Sequence, residues 1–211
     1  MQSYIFDKPK VFKSSKELRE VFSLDSVYIE DGGEVTFSGE ISLSENVYFK
    51  NKCYFDSGSF IDIGCILSQI NTGKRVKIRP YSIISDSIFG NDNLLGPYCF
   101  IRDNTRVYDG CIIGNHVEAV RSTIYSGVKI SHQAYIGDAI INENSIIGSN
   151  TVFCNFNGKN HETSSIGTNV LVGSGTMIIA PVEIGNYSII AAGSVVNKDI
   201  PSNTKFIMPR K

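Results

Sequence analysis

Three histidines are spread through 211 residues, at His116, His132 and His161. His132 lies inside "KISHQAYIGDAII", a stretch of small and aliphatic residues on a regular beat. An imidazole there is a satisfied core group, a metal ligand or a base, the side chain most often used for proton transfer near neutral pH. Arg102, in "FIRD", is placed either to hold an anion or hydroxyl or to pair with Asp103 or Glu118. Tyr135 either packs or reaches a ligand. The polar run "CNFNGKNHETSS", Cys154 to Ser165, carries Asn155, Phe156 and His161. The five cysteines contain no CxxC pair and most sit in or beside apolar positions, the pattern of reduced, small core residues.

The surrounding elements must hold these groups. Aliphatic residues recur every six positions at Ile166, Val172, Ile178, Ile184, Ile190 and Val196. Phe89, Leu95, Ile101, Val107, Ile113 and Ala119 keep the same interval, as do Ile124, Ile130 and Ile136. After a one-residue slip Ile141, Ile147 and Phe153 continue it, and Val35, Ile41 and Val47 begin the series. Neither an α-helix nor an alternating strand has period six. A hexapeptide repeat does: short strands and tight turns wound into a parallel β-helix, each aliphatic pointing inward. The fold class is therefore all-β. Gly after the aliphatic, as at Ile147-Gly148 and Ile166-Gly167, reads as a turn needing permissive backbone. His132 follows the inward Ile130 by two residues, where the chain turns a corner, so it can face outward.

The chain divides into a cap segment at 1–34, a β-helix at 35–200 and a tail at 201–211. In the cap, Ser14 and Glu17 form a capping box before a short helix that would cover the first coil. The polar run after Phe153 has no core to enter and is expected to project as a loop, where function concentrates. A formal charge of −1 gives no basic field for nucleic acid or anionic lipid. No apolar run approaches the roughly 20 residues of a membrane span, and the start has no signal-peptide pattern. A soluble, cytoplasmic protein is expected.

"LGPYCFIRDNTRV", "IGNHVEAVRSTI", "SHQAYIGDA", "FCNFNGKN" and "IAAGSVV", in this order, resemble the acetyltransferase domain of the bacterial bifunctional glucosamine-1-phosphate acetyltransferase/N-acetylglucosamine-1-phosphate uridylyltransferases. The likeness runs over roughly 60–200 and leaves no room for the uridylyltransferase domain. It implies a left-handed β-helix, a homotrimer with sites between neighbouring prisms, and acetyl-CoA as co-substrate, with no metal for the transfer. His132 falls on the catalytic base, Glu118 on an acidic residue near it, and Asn155 and Phe156 on positions meeting the acetyl donor. Ser149, Ser174 and Ala192 match positions that contact acetyl-CoA mainly through backbone, with Arg210 completing that site if the tail shifts slightly. Arg102 and Tyr135 match acceptor-binding positions.

Departures concentrate on the acceptor side. Val120 stands where the family has a phosphate-binding lysine, with Arg121 adjacent; Ile146 replaces an asparagine and His161 a lysine. The resemblance thus points to acetyl transfer on the amino group of a small acceptor, an amino sugar or sugar-nucleotide. The alternatives are glucosamine-1-phosphate N-acetyltransferase proper and a non-catalytic β-helix binding module. A zinc enzyme of the γ-carbonic anhydrase kind would need two histidines five apart, against separations of 16 and 29.

Overall fold

The computed structural model describes residues 1–207; Arg210 lies outside the described residues. Short strands stack in parallel from Val27–Ile29 to Lys205–Phe206, coil upon coil, as a left-handed β-helix. Leu94 pairs with Ile112, Ile112 with Lys129, and Lys129 with Ile146, so a coil takes 17 or 18 residues. Ile146 next pairs with Leu171, a longer step because the loop after Cys154 intervenes.

Every aliphatic or aromatic residue on the six-residue beat is buried, from Val35 to Val196. Stacking removes each from water, worth about 1.5–3 kcal/mol per side chain. A second inward series was not read from the sequence: Thr105, Thr151, Thr176 and Ser194 are buried beside the corners. Their hydroxyls donate to the carbonyl three residues back, at 2.7, 2.7, 2.6 and 2.6 Å. A small hydroxyl fits the narrow corner and satisfies a turn carbonyl that would otherwise lack a donor.

The glycine expectation needs correction. Gly148 and Gly167 do not occupy the left-handed region; Asn150 and Asn169, two residues on, do, at φ 59° and 56°. A Cβ on Gly148 would collide with the Ser174 backbone, and one on Gly167 with Asn186. These positions need glycine because successive coils approach closely, not for turn conformation.

The N-terminal end is plugged by aromatics. Strand β1 (Gln2–Phe12) runs antiparallel to Glu34–Leu43, from Gln2 opposite Leu43 to Phe12 opposite Val35. Helix α1 (Ser15–Phe22) buries Leu18 and Phe22, and Phe6, Phe12, Phe22 and Phe37 meet at ring separations of 5.6–6.0 Å. Ser14 is the N-cap and accepts from the Lys16 N–H, but Glu17 does not close a capping box; it pairs with Lys10 at 3.2 Å. The cysteines are free, four of them buried. Burial pushes the Cys53, Cys99 and Cys111 thiols up to about 11 and Cys65 to about 12, so they stay protonated as core groups. No helix among the described residues is long and apolar enough to cross a membrane.

Candidate functional site

His132 is exposed at a corner, on the strand Lys129–Gly137. Its register partner one coil earlier is Asn115. His132 Nδ1 lies 2.9 Å from Asn115 Oδ1, while Asn115 Nδ2 lies 3.3 Å from His116 Nδ1. The two contacts fit one orientation of the amide. Its nitrogen donates to His116 and its oxygen accepts from His132, which puts the His132 proton on Nδ1 and leaves Nε2 free. Asn115 was passed over in the sequence; its signal is its place 17 residues before His132, legible only once the coil length is known.

Ser149, Ser174 and Ala192 succeed His132 coil by coil along the same corner. The Gly175 N–H donates to Ser149 O at 2.7 Å, and the Gly193 N–H to Ser174 O at 2.8 Å. Among the described residues the N–H groups of Ser149, Ser174 and Ala192 donate to no other coil. The corner therefore offers a row of free peptide donors beside small side chains.

The other candidates gather at the far end of the same strand. The chain turns the corner at Gln133, φ 20°, between His132 and Tyr135, so Tyr135 opens the next face of the prism. Tyr135 pairs in register with Glu118, and Gly137 with Val120, which pairs in turn with Arg102. A Cβ on Gly137 would collide with the Asn155 amide and the Tyr135 ring, so glycine lets both fold over this point. Asn155 is buried, and its Nδ2 donates to Asp138 Oδ2 at 2.5 Å and to Tyr135 Oη at 3.4 Å. Arg121 grips Asp138 with both forks, at 2.7 and 2.9 Å, and His161 Nδ1 lies 3.3 Å from the same carboxylate. Arg102 donates to Glu118 at 2.7 Å and to Asp103. Val120 is fully buried outside the main core cluster. Phe156 stays exposed on the loop, bridged antiparallel to His161.

One chain thus joins Arg102 to Glu118 and Asn155 to Tyr135, but brings neither Glu118 nor Asn155 against His132. His161, expected to project, turns back onto its own prism. The sequence reading missed Asp138, the hub of this cluster, whose signal is again one coil's spacing from Arg121. Its side chain is only 12% exposed. The Arg121 guanidinium holds its carboxyl below the usual range, against an opposing effect of burial, with help from Asn155.

A depressed folded-state pKa stabilises the fold above the unfolded value, and that contribution is lost as pH falls below about 4. Asp138→Asn leaves Arg121 and Asn155 poorly partnered, an expected cost of about 1–3 kcal/mol. That is a fall of about 3–10 °C in Tm at pH 7 for a chain of this size. Melting parent and variant at pH 7 and pH 3 checks this: the gap should shrink at pH 3, and an equal gap at both would remove the carboxylate from the account.

Among the described residues no three His, Cys, Asp or Glu side chains converge as metal ligands. A family model described as bacterial transferase hexapeptide (six repeats) matches residues 163–198. The bifunctional protein GlmU of Baumannia cicadellinicola is 38% identical over 144 residues, 68% of this chain and 31% of that protein. The GlmU of Aquifex aeolicus is 45% identical over 121 residues, 57% of this chain and 26% of its own. The chain spans less than a third of the length of these relatives. A solved UDP-N-acetylglucosamine acyltransferase from Campylobacter jejuni matches with a TM-score of 0.57 at 17% identity, covering 84% of this chain and 68% of that one. At that identity the likeness is one of fold.

Proposed function

We propose, from the bacterial transferase hexapeptide match at residues 163–198 and the resemblance to the hexapeptide acyltransferases, an enzyme that moves an acetyl group from acetyl-CoA to the amino group of a small acceptor, an amino sugar or sugar-nucleotide. The observation that carries the reading is His132: exposed, with Nδ1 engaged by Asn115 and Nε2 free, at the head of the Ser149–Ser174–Ala192 row.

The chemistry follows from that placement. The acceptor nitrogen bonds the thioester carbon while Nε2 takes its proton. The C–S bond then breaks, and the imidazolium returns the proton to the departing thiolate. Asn115 holds the reactive tautomer throughout. The free Ser149 N–H is suited to the oxyanion, because a peptide donor needs no reorganisation as charge develops. The N–H groups of Ser174 and Ala192 suit the amide carbonyls of the pantetheine arm, and Phe156 the donor end.

Since one chain separates His132 from Asn155, the complete site needs a second copy whose Asn155 corner faces this His132. A homotrimer closed by threefold symmetry supplies three such junctions. The test couples sedimentation to an acceptor screen that follows release of the CoA thiol. Turnover by a trimer with an amino sugar or sugar-nucleotide is expected. A monomer that turns over would sink the shared site, and no release with any amine would sink the transferase.

A further inference from the structure

Asn155 is almost sealed, 5% exposed, where the loop leaves the strand Thr151–Cys154. Both hydrogen bonds of its side chain are made by Nδ2, to Asp138 Oδ2 and to Tyr135 Oη. Among the described residues its Oδ1 accepts from nothing, yet it is not one of the buried polar atoms left without a partner. That oxygen therefore reaches the surface, and it is the atom of the amide that this corner presents.

An amide can face either way, and the groups behind it decide which. Tyr135 does not decide, because a phenol hydroxyl both donates and accepts. Asp138 does. Arg121 occupies both of its oxygens at 2.7 and 2.9 Å and keeps it ionised, and a carboxylate only accepts. Turned the other way, Asn155 would set Oδ1 against Oδ2 in a place mostly closed to water, where an unpaired polar contact is costly. The orientation has a chemical consequence. An amine attacking the thioester carries a second N–H besides the one whose proton goes to His132 Nε2. As the N–C bond forms the nitrogen becomes positive, so an acceptor for that second N–H holds it more strongly in the transition state. A hydroxyl has one hydrogen, and an oxygen facing it meets only a lone pair.

We propose that Asp138 is a positioning residue that fixes Asn155 with Oδ1 outward, and that this oxygen selects an amine over a hydroxyl at the junction between copies. The selectivity rests on the shared-site, acetyl-transfer reading given above; the orientation of the amide does not.

Asp138→Asn reverses the instruction. Arg121 draws the new carbonyl, so the new NH2 faces Asn155, which turns to accept from it and presents Nδ2 outward. The measurement is kcat/KM for an amine acceptor and for its hydroxyl counterpart, at a temperature below the melting range of every variant. Asp138→Asn should lose about 10–100-fold on the amine, while the hydroxyl, slow in the parent, holds or gains. Asn155→Ala should lose the amine similarly, and in that background Asp138→Asn should cost the amine nothing further. Arg121→Gln loosens the cluster but leaves the carboxylate in place, so the preference for the amine should survive. A merely structural Asp138 would lower both acceptors alike, with or without Asn155; that result, or an unchanged amine rate, overturns the proposal. Isotope-labelled protein gives a reading independent of turnover. The Asn155 side-chain N–H protons should show nuclear Overhauser contact with the Tyr135 ring in the parent and lose it in Asp138→Asn. Contact retained in the variant overturns the positioning role whatever the enzyme acetylates. An orientation that switches in a protein releasing no CoA thiol with any amine would overturn the transferase reading and the selectivity, and leave Asp138 as the group that sets the amide.

Discussion

His132→Ala is expected to fold and assemble as the parent does while transferring acetyl groups about 10²–10⁴-fold more slowly, the usual cost of removing a general base. The side chain is exposed, and its one hydrogen bond is to Asn115. Its removal opens no cavity, so melting temperature should barely move. Affinity for acetyl-CoA should also hold, because the row of free N–H groups belongs to other coils. The loss should appear in kcat, with KM for the donor little changed. Asn115→Ala gives a finer reading. It frees the imidazole to adopt the other tautomer, so an intermediate loss and an altered pH profile are expected. Near-parent turnover by His132→Ala on its own acceptor would demote the histidine to a bystander.

How far this site is legible without coordinates depends on which distances the chain itself encodes. The beat from Val35 to Val196 is a local pattern repeated, and each member is buried. Contacts between coils are also encoded, but only at the 17- or 18-residue period. Asn115 under His132 and Asp138 over Arg121 therefore stay invisible until that period is applied to polar residues as well. Strand β1 has no such rule. Its partner runs antiparallel and irregularly, with a break between Phe6 and Lys10, and its buried residues are only Phe6 and Phe12. Nothing local to "SYIFDKPKVF" names the strand it joins. The helix next to it was readable from Ser14, yet Glu17 left the cap for Lys10, a partner that only the presence of β1 supplies.

Glucosamine 1-phosphate is expected to be a poor acceptor, and the structure sharpens the reason. Its phosphate is largely a dianion near neutral pH and needs cations that are not already neutralised. Arg102 is held by Glu118 and Asp103, and Arg121 by Asp138 in both forks with Asp103 nearby. Arg121 is adjacent to Val120, where the resembled domains place a phosphate-binding lysine, but its guanidinium is committed one coil away. Val120 itself is sealed from solvent, and His161 is turned onto Asp138. Ile146 continues an exposed apolar row with Leu171 and Ile189 where those domains place an asparagine. Binding a phosphate here would mean breaking an existing pair or forgoing charge-assisted hydrogen bonds worth about 1.5–3 kcal/mol each. One or two such losses lower affinity by roughly one to four orders of magnitude. Steady-state kinetics on glucosamine 1-phosphate beside free and nucleotide-linked amino sugars decides the matter. Should its kcat/KM exceed that of every other acceptor, the carboxylates around Arg102 and Arg121 must release their partners when substrate arrives, and the altered residues would not set specificity.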